Sequence, residues 1–324
     1  MIEVENLTKT YGDFVAIEDV SFHVPRGEVL GFLGPNGAGK TTTMRILTGY
    51  MPPTDGRATV AGFDIFHDSL EVRRRIGYLP ETVPLYNEMT VAGYLDFVAR
   101  LRGVDNRWDR IDRVMEQVDI ADRADDLIGK LSKGYRQRVG LAQALVHDPE
   151  VIILDEPTIG LDPKQVVEVR ELIRSLSGER TVILSTHILP EVSQLCERVL
   201  IINEGHIVAE DTPERLTARL EGAERVRVAL EPGAEGVVEV LGAIDGVKDV
   251  TPVGDGKFDV TCALGAELRP ILARRIVERG WSLLELRPVG MSLEDVFLKL
   301  TTETPEVEEQ QPVLSDQLSV NGDS

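Results

Sequence analysis

The sequence has few cysteines, no long apolar run and no targeting signal at its start. Its two cysteines, Cys196 and Cys262, stand outside any metal-ligand spacing, which predicts small buried side chains and argues against a disulfide or a zinc site. No uninterrupted apolar run approaches the roughly 20 residues that a bilayer-spanning helix needs. The N-terminal residues also lack the basic-then-apolar order of a secretory signal. These absences predict a cytoplasmic protein.

Basic residues are also scarce. The chain has 35 Lys and Arg against 55 Asp and Glu, so its formal net charge is −20. Such an excess argues against broad binding to nucleic acid or anionic lipid, and no nucleic-acid partner is expected. Part of the excess lies at the C-terminal end, where six acidic residues and no basic one follow residue 300. The sequence therefore predicts a disordered acidic tail over residues 303–324.

What the chain does contain is a phosphate-binding loop. The stretch GPNGAGKT, Gly34 to Thr41, matches G-x-x-x-x-G-K-[ST], with an apolar strand predicted over 29–33 and a helix over 42–48. Its glycines allow backbone N–H groups to wrap phosphate oxygens. Lys40 offers a charge to the β- and γ-phosphates, and the Thr41 hydroxyl can join a Mg²⁺ shell. The expected nucleotide contacts in this region are Gly34, Pro35, Asn36, Gly37, Ala38, Gly39, Lys40, Thr41 and Thr42.

Two further apolar strands end in residues suited to triphosphate hydrolysis. In VIILDEPT, Asp155 can hold Mg²⁺ through water, while Glu156 can polarise the attacking water as a general base. Adjacent carboxylates on a strand point to opposite sides, so we expect them to have separate tasks. The stretch TVILSTH ends in His187. A lone histidine at a strand end is more often structural, but its position after a third core strand makes it a catalytic candidate.

The stretch LSKGYRQR, residues 131–138, predicts a second helix start built to receive an anion. A serine and a glycine, Ser132 and Gly134, stand just before an apolar pattern at helical spacing. Free backbone N–H groups and the helix dipole both favour negative charge at such a start. The chain therefore carries two candidate phosphate-binding helix starts.

In this order, the motifs resemble the ATP-binding subunits of ABC transporters, over residues 1 to about 218. The LSGGQ-type signature of that family stands here as Leu131-Ser132-Lys133-Gly134-Tyr135. The resemblance implies an α/β P-loop NTPase fold of the ABC ATPase type, with a RecA-like core, an antiparallel β lobe and a helical lobe. The stretches IGYLPETVPLYNEMTVAGYL and SLEDVFLKLT resemble the exporter-type subfamily, which is ABC-2-like and includes gliding-motility and multidrug systems.

The resemblance also implies roles for single residues. Tyr11 would stack on adenine, Asp162 would be the acid of the loop after the catalytic strand, and His187 would reach the γ-phosphate. Glu81 stands where the family usually has the Gln that contacts Mg²⁺ and the membrane partner. Glu81 can still accept a hydrogen bond from metal-bound water, but it adds a charge. The signature also departs from the family, with Lys133 and Tyr135 in place of Gly and Gln.

The same resemblance explains why one chain has two phosphate-binding helix starts: it implies a pair of chains arranged head to tail. Each ATP would lie between Lys40 of one chain and Ser132 and Gly134 of the other. A two-fold interface of this kind is self-complementary, so a homodimer suffices. The resemblance further implies a separate membrane permease as partner, and hence a peripheral location on the inner face of the cell membrane. The expected function is ATP hydrolysis that powers this permease, with ATP and Mg²⁺ as ligands.

Two other functions compete with this one. A soluble ABC-type ATPase of translation or DNA repair would carry two ATPase domains or long coiled coils, whereas this chain has one ATPase domain, no heptad run and a strongly negative charge. A small-molecule phosphotransferase would use the same loop but has no need of the signature helix. Both are therefore weaker interpretations of the motifs.

A small α+β accessory domain is predicted over residues 219–302. Strand-like and helix-like stretches alternate there in the order β-α-β-β-α-β, which indicates a ferredoxin-like sandwich. The closing stretch SLEDVFLKLT predicts an amphipathic helix with Ser292 as its N-cap and Asp295 three residues later, expected to pack on its own domain. No second active site is expected in this part.

Overall fold

The computed structural model describes residues 1–213, 215–216, 224–231, 233–263 and 268–288, together with Phe297 and Thr301. Their strands form two four-stranded sheets and one six-stranded sheet. The predicted domain boundary at residue 218 and the predicted tail at 303–324 lie outside the described residues. Within the described ranges, no helix combines the length and the apolar character needed to cross a bilayer.

The first sheet is antiparallel, with strands in the order β2-β1-β4-β5. Its strands are β1 Ile2–Tyr11, β2 Phe14–Val24, β4 Asp55–Val60 and β5 Phe63–Asp64. Apolar side chains on one face of this sheet, such as Ile2 and Ile17, are completely buried. They pack with Met44 and with alternate residues of the central sheet to form one core. This sheet is the predicted β lobe.

The central sheet has six strands in the order β10-β9-β3-β8-β7-β6. They are β3 Val29–Leu33, β6 Ile76–Leu79, β7 Val151–Asp155, β8 Thr181–Thr186, β9 Arg198–Asn203 and β10 His206–Asp211. Only β10 pairs antiparallel with its neighbour. Every residue of β3, β7 and β8 is buried, as expected for parallel strands covered on both faces. Consequently the carboxyl ends of β3, β7 and β8, where the predicted site residues stand, meet at one edge of the sheet.

Helices cover the central sheet. They are α1 Lys40–Leu47, α2 Ser69–Arg75, α3 Val91–Leu101, α4 Arg107–Gln117, α5 Lys133–Leu145, α6 Pro163–Leu176 and α7 Leu189–Leu195. Helices α3 to α7 contribute to a second core with the strand residues that alternate with those of the first, for example Ile152 and Leu154 against Val151 and Ile153. The helices α3, α4 and α5 form the predicted helical lobe, which ends in the signature helix.

The C-terminal part forms its own antiparallel sheet, in the order β12-β13-β11-β14. Its elements are β11 Glu224–Leu230, α8 Val237–Gly242, β12 Val247–Gly254, β13 Lys257–Cys262, α9 Arg269–Glu278 and β14 Leu283–Pro288. The succession β-α-β-β-α-β and this strand order are those of the ferredoxin-like arrangement predicted from the sequence. A third core, which includes Val228, Val260 and Leu272, lies within this unit.

In the closing stretch, the predicted cap residues Ser292 and Asp295 lie outside the described residues, and the predicted packing of the stretch on its own domain is wrong for Phe297. Of the closing stretch 292–301 the structure describes Phe297 and Thr301, and Phe297 packs against the core of the central sheet and helical lobe rather than against the third core. The Asn203 side-chain amide, at the end of β9, also donates to the Thr301 carbonyl oxygen at 3.5 Å. The amphipathic pattern predicted an apolar face, but it held no information about which surface that face would meet.

Candidate active site

The phosphate loop connects β3 to α1 and is fixed by close backbone packing. Gly39 has φ 107°, in the left-handed region, and a Cβ there would lie 2.5 Å from the Ile17 side chain. Behind the loop, the Gly205 N–H donates to the Ala38 carbonyl oxygen at 3.1 Å, and the Glu18 N–H donates to the Gly205 carbonyl oxygen at 3.0 Å. The β9–β10 turn and β2 therefore hold the loop in shape. Helix α1 begins at Lys40, two residues earlier than predicted. Because the first N–H groups of a helix have no partner within it, those of α1 are available at the loop.

Lys40 is buried beneath the loop. Its ammonium donates to the carbonyl oxygens of Gly34, at 2.7 Å, and Pro35, at 3.2 Å. It also lies 3.6 Å from a carboxylate oxygen of Glu156. The Lys40 ammonium can leave Glu156 and bind phosphate oxygens instead, because a bound triphosphate would supply negative charge at short range in place of the Glu156 carboxylate.

Glu156 lies just beyond the end of β7. Its φ of 52° is left-handed, which turns its side chain out of the strand pattern. The carboxylate is buried, and both of its oxygens lie 2.9 Å from His187 Nδ1. Since a carboxylate only accepts, Nδ1–H of His187 is the donor. The two predicted catalytic residues, from the ends of two strands, are therefore in direct contact. His187 itself follows β8, which ends at Thr186.

Asp155, the last residue of β7, faces a different environment. Its Oδ1 accepts from the Ser185 hydroxyl at 2.8 Å, while its Oδ2 is buried with no hydrogen-bond partner among the described residues. Burial raises the pKa of Asp155, and the nearby hydroxyls of Ser185 and Thr41 oppose that rise. A buried unpartnered carboxylate oxygen beside a threonine hydroxyl fits the oxygen donors that Mg²⁺ prefers.

These groups open into one cleft of about 370 Å³, lined by residues of the loop, the strand ends and the β lobe. The predicted residues that line it are Tyr11, Pro35, Asn36, Gly37, Gly39, Lys40, Thr41, Thr42, Glu81, Glu156 and His187. The remaining loop residues, Gly34 and Ala38, and Asp155 do not line the cleft. A charged inner end and an aromatic outer end suit a nucleoside triphosphate.

The comparisons with known proteins agree with this geometry. The family model described as "ABC transporter" matches residues 17–159. The bacitracin transport ATP-binding protein BcrA of Bacillus licheniformis is 38% identical over 302 residues, which are 93% of this chain and 97% of that protein. The chain belongs to the ATP-binding subunits of ABC transporters.

Two further relatives define what this ABC ATPase is similar to. The daunorubicin resistance ATP-binding protein DrrA3 of Streptomyces coeruleorubidus is 36% identical over 312 residues, 95% of this chain and 98% of that protein. A dimeric post-hydrolysis structure of the ATP-binding cassette MJ0796 with ADP and Pi has a TM-score of 0.61 and 26% identity, covering 65% of this chain and 98% of that one. The chain is therefore an ATPase of a transporter, and the translation and repair alternatives are not supported.

Tyr11 forms the aromatic end of the cleft of this ABC ATPase. Its hydroxyl donates to the Met51 sulfur at 3.1 Å, and the Lys9 ammonium lies 5.5 Å from its ring centre. Phe14, paired with Tyr11 across the β1–β2 turn, also lines the cleft and is 63% exposed. Sequence reasoning missed Phe14. A second aromatic residue directly after the Tyr-Gly-Asp turn was the available signal.

Ser132 and Gly134 do not line the cleft of their own ABC ATPase chain. The Ser132 hydroxyl caps α5 by accepting from the Tyr135 N–H, at 3.4 Å. Gly134 is buried, and a Cβ there would lie 2.2 Å from the Gln165 side chain. Among the predicted nucleotide contacts, Gly34 and Ala38 belong to the phosphate loop without lining the cleft, whereas Ser132 and Gly134 lie at the start of α5.

Proposed function

We propose that this ABC ATPase works as a pair of identical chains and powers a separate membrane permease that exports a drug-like compound. One observation carries the pairing: within a single chain the cleft gathers the phosphate loop, Glu156 and His187, while Ser132 and Gly134 lie elsewhere. A second copy that presents its α5 start would complete the cleft. The transport role is supported by BcrA and DrrA3, whose names refer to bacitracin transport and daunorubicin resistance and of which the chain covers 97% and 98%.

We assign the hydrolysis step to the groups already in contact. Phosphate oxygens entering the loop would compete with Glu156 for the Lys40 ammonium, 3.6 Å away in the structure. Glu156, released from Lys40 and oriented by its hydrogen bonds to His187, would then accept a proton from the attacking water. Tyr11 would stack on the adenine ring. These roles follow from contacts, burial and the family resemblance.

Mg²⁺ would be held by Thr41, by Asp155 and, through water, by Glu81. It supplies charge neutralisation to the β- and γ-phosphates when it is bound. On the protein side, the Ser185 hydroxyl donates to one oxygen of Asp155, and the other has no hydrogen-bond partner within the residues that the structure describes. Glu81 also lines the cleft. Association with the permease would hold the pair at the inner face of the membrane.

The pairing is tested with two inactive chains. Lys40→Ala removes the charge from the phosphate loop, and Ser132→Arg blocks the α5 start, so each variant alone should hydrolyse no ATP. In a mixed head-to-tail dimer both defects fall in one of the two clefts, and the other is intact. An equal mixture should therefore recover up to about a quarter of wild-type activity, because half of the dimers are mixed and have one working cleft.

The Glu156→Gln chain supplies the matching size measurement. It should dimerise with Mg-ATP and remain monomeric without it, as judged by light scattering after size exclusion. If the mixed chains stay inactive and Glu156→Gln stays monomeric, the pairing is refuted. For the permease, affinity purification of the same variant from membranes with Mg-ATP should recover a polytopic membrane protein, and recovery of ribosomal proteins would contradict a transport role.

A further inference from the structure

Glu191, on α7, is a buried carboxylate that the mechanism above does not use. It is 2% exposed and forms no salt bridge among the described residues. Both of its oxygens are occupied by hydroxyl donors: Oε1 accepts from Thr158 Oγ1, and Oε2 accepts from Thr186 Oγ1 at 3.2 Å. Burial raises its pKa, and these two hydroxyls oppose the rise. Burying a polar group costs folding free energy, so we expect Glu191 to have a role that offsets this cost.

The two hydroxyl donors come from the two segments that carry the catalytic groups. Thr158 lies two residues after Glu156, and Thr186 lies immediately before His187. The Ile188 N–H donates to Thr186 Oγ1 at 3.0 Å, which leaves the hydroxyl proton of Thr186 for Glu191. The Thr186 side chain thereby fixes the backbone on both sides of His187.

The turn that carries Glu156 is held from its other side as well. The buried side chain of Gln137, in α5, donates to the Pro157 carbonyl oxygen at 2.8 Å. Glu156 has a left-handed backbone conformation, with φ 52°. A non-glycine residue keeps such a conformation only where its surroundings enforce it. Gln137 and the Thr158–Glu191 contact are two of the polar contacts that hold this turn, together with the Glu156 N–H, which donates to the Ser185 carbonyl oxygen at 2.9 Å.

We propose that Glu191 is a positioning residue for hydrolysis, one that ties the turn carrying Glu156 to the strand end carrying His187. Glu191 contacts neither ATP nor water in this role. It sets the separation between the carboxylate and the imidazole by accepting one hydroxyl from each segment. The proposal rests on the catalytic roles proposed above for Glu156 and His187.

The chemistry of the side chain makes the proposal specific. A carboxylate can accept at both oxygens, whereas an amide accepts at its oxygen and donates at its nitrogen. Glu191→Gln therefore keeps one of the two hydroxyl contacts as it is and reverses the other. Thr158→Val deletes the Thr158–Glu191 contact, and Thr186→Val deletes both the Thr186–Glu191 contact and the acceptor of the Ile188 N–H; each preserves the side-chain shape.

Thr181→Val is the matched control for these variants. Thr181 lies in β8, as Thr186 does, and both are completely buried. Its hydroxyl accepts from the Gly27 N–H at 3.0 Å, at the opposite end of the strand from the cleft. The substitution therefore removes a buried hydroxyl from the same strand without touching the Glu156 or His187 segments.

The experiment measures kcat and KM for Mg-ATP, with Tm, in the four variants and in Glu156→Gln. We expect Thr158→Val, Thr186→Val and Glu191→Gln each to lower kcat by about fivefold or more, with KM within about twofold of wild type. Thr181→Val should lower Tm at least as much but leave kcat within about twofold. If Thr158→Val and Thr186→Val lose no more turnover than Thr181→Val, the positioning role of Glu191 is overturned. The catalytic roles proposed for Glu156 and His187 are not affected by that result. If Glu156→Gln itself retains turnover, the catalytic roles fall, and this proposal falls with them.

Discussion

Asp155 and Glu156 are neighbours in the chain, but the fold gives them different surroundings. Asp155 ends its strand with one oxygen bound to Ser185 and the other without a partner in the described part of the chain, while Glu156 turns out of the strand toward Lys40 and His187. The sequence predicted separate tasks from the alternation of side chains along a strand. The physical reason is partly different, since Glu156 lies beyond the strand and its direction is set by a left-handed φ.

Residues with apolar neighbours were the hardest to predict. Ser185 and Glu191 interrupt apolar stretches. In the structure, the Ser185 hydroxyl donates a hydrogen bond to Asp155 and the Glu191 carboxylate accepts one from Thr186. A polar residue within a buried strand is a signal, but sequence alone does not say which group it meets. The phosphate loop, by contrast, is local, so its residues could be predicted one by one.

His147 gives a prediction at the residue scale. Its Nε2–H donates to the Ile76 carbonyl oxygen at 3.0 Å, and Nδ1 is buried with no partner among the described residues. Burial, together with Arg102, Arg110 and Arg180, lowers the pKa of His147 from 6.5 to about 4. Between pH 6.5 and about 4, His147 therefore stays neutral in the folded chain but is protonated in the unfolded chain.

The expected result is a loss of stability in acid. Above pH 6.5 His147 is neutral in both states, and as the pH falls from 6.5 toward 4 only the unfolded chain is protonated. The free energy of unfolding should fall over this interval by up to about 1.4 kcal/mol per pH unit from this group. His147→Gln keeps a donor for Ile76 and cannot titrate, so its urea-derived stability should fall less steeply. Parallel curves would contradict the assignment.

At the scale of elements, apolar runs were predicted well because the central strands are buried on both faces. The strand at 29–33 and the β-α-β-β-α-β order of the C-terminal part are confirmed. Boundaries next to the site were less accurate, as α1 begins at Lys40 directly after a left-handed glycine. Long-range packing was not predictable, and Phe297 is the clearest case.

Helix α6 gives a prediction at this scale. Asp162 is its N-cap: the Asp162 carboxylate accepts from the Gln165 N–H at 3.0 Å, and the Gln165 side chain accepts from the Asp162 N–H. Asp162→Ala should lower the free energy of unfolding by about 1 kcal/mol, since it leaves a helix N–H unpaired. Asp162→Asn retains a capping oxygen and should cost less. Urea unfolding of both variants measures the difference, and equal losses would mean that the cap contributes little.

At the scale of the whole molecule, the described residues form three apolar cores, and the third belongs to the C-terminal sheet and its two helices. This separation allows a defect in one core to remain local. The formal net charge of −20 is a property of the whole chain. It does not prevent the phosphate loop from having a buried cation, Lys40.

Leu272 tests that independence. It is completely buried in the third core, so Leu272→Ala should destabilise the C-terminal sheet by about 2–5 kcal/mol. Hydrogen exchange should rise in β11 and β13 but not in β3 or β7, and KM for ATP should not change. The control is Val277→Ala on the same helix, where the side chain is 66% exposed and a change within about 0.5 kcal/mol is expected. Exchange that rises equally in all four strands would show one cooperative unit.

The turn between β9 and β10 has a practical consequence. Short, glycine-containing hairpin ends are the usual choice for inserting an epitope or a fluorescent reporter, since most of them tolerate extra chain. Here Gly205 bonds to Ala38 on one side and Glu18 on the other. A tag spliced into this hairpin would push apart the backing of the phosphate loop, so labelling of this ATPase belongs elsewhere on its surface.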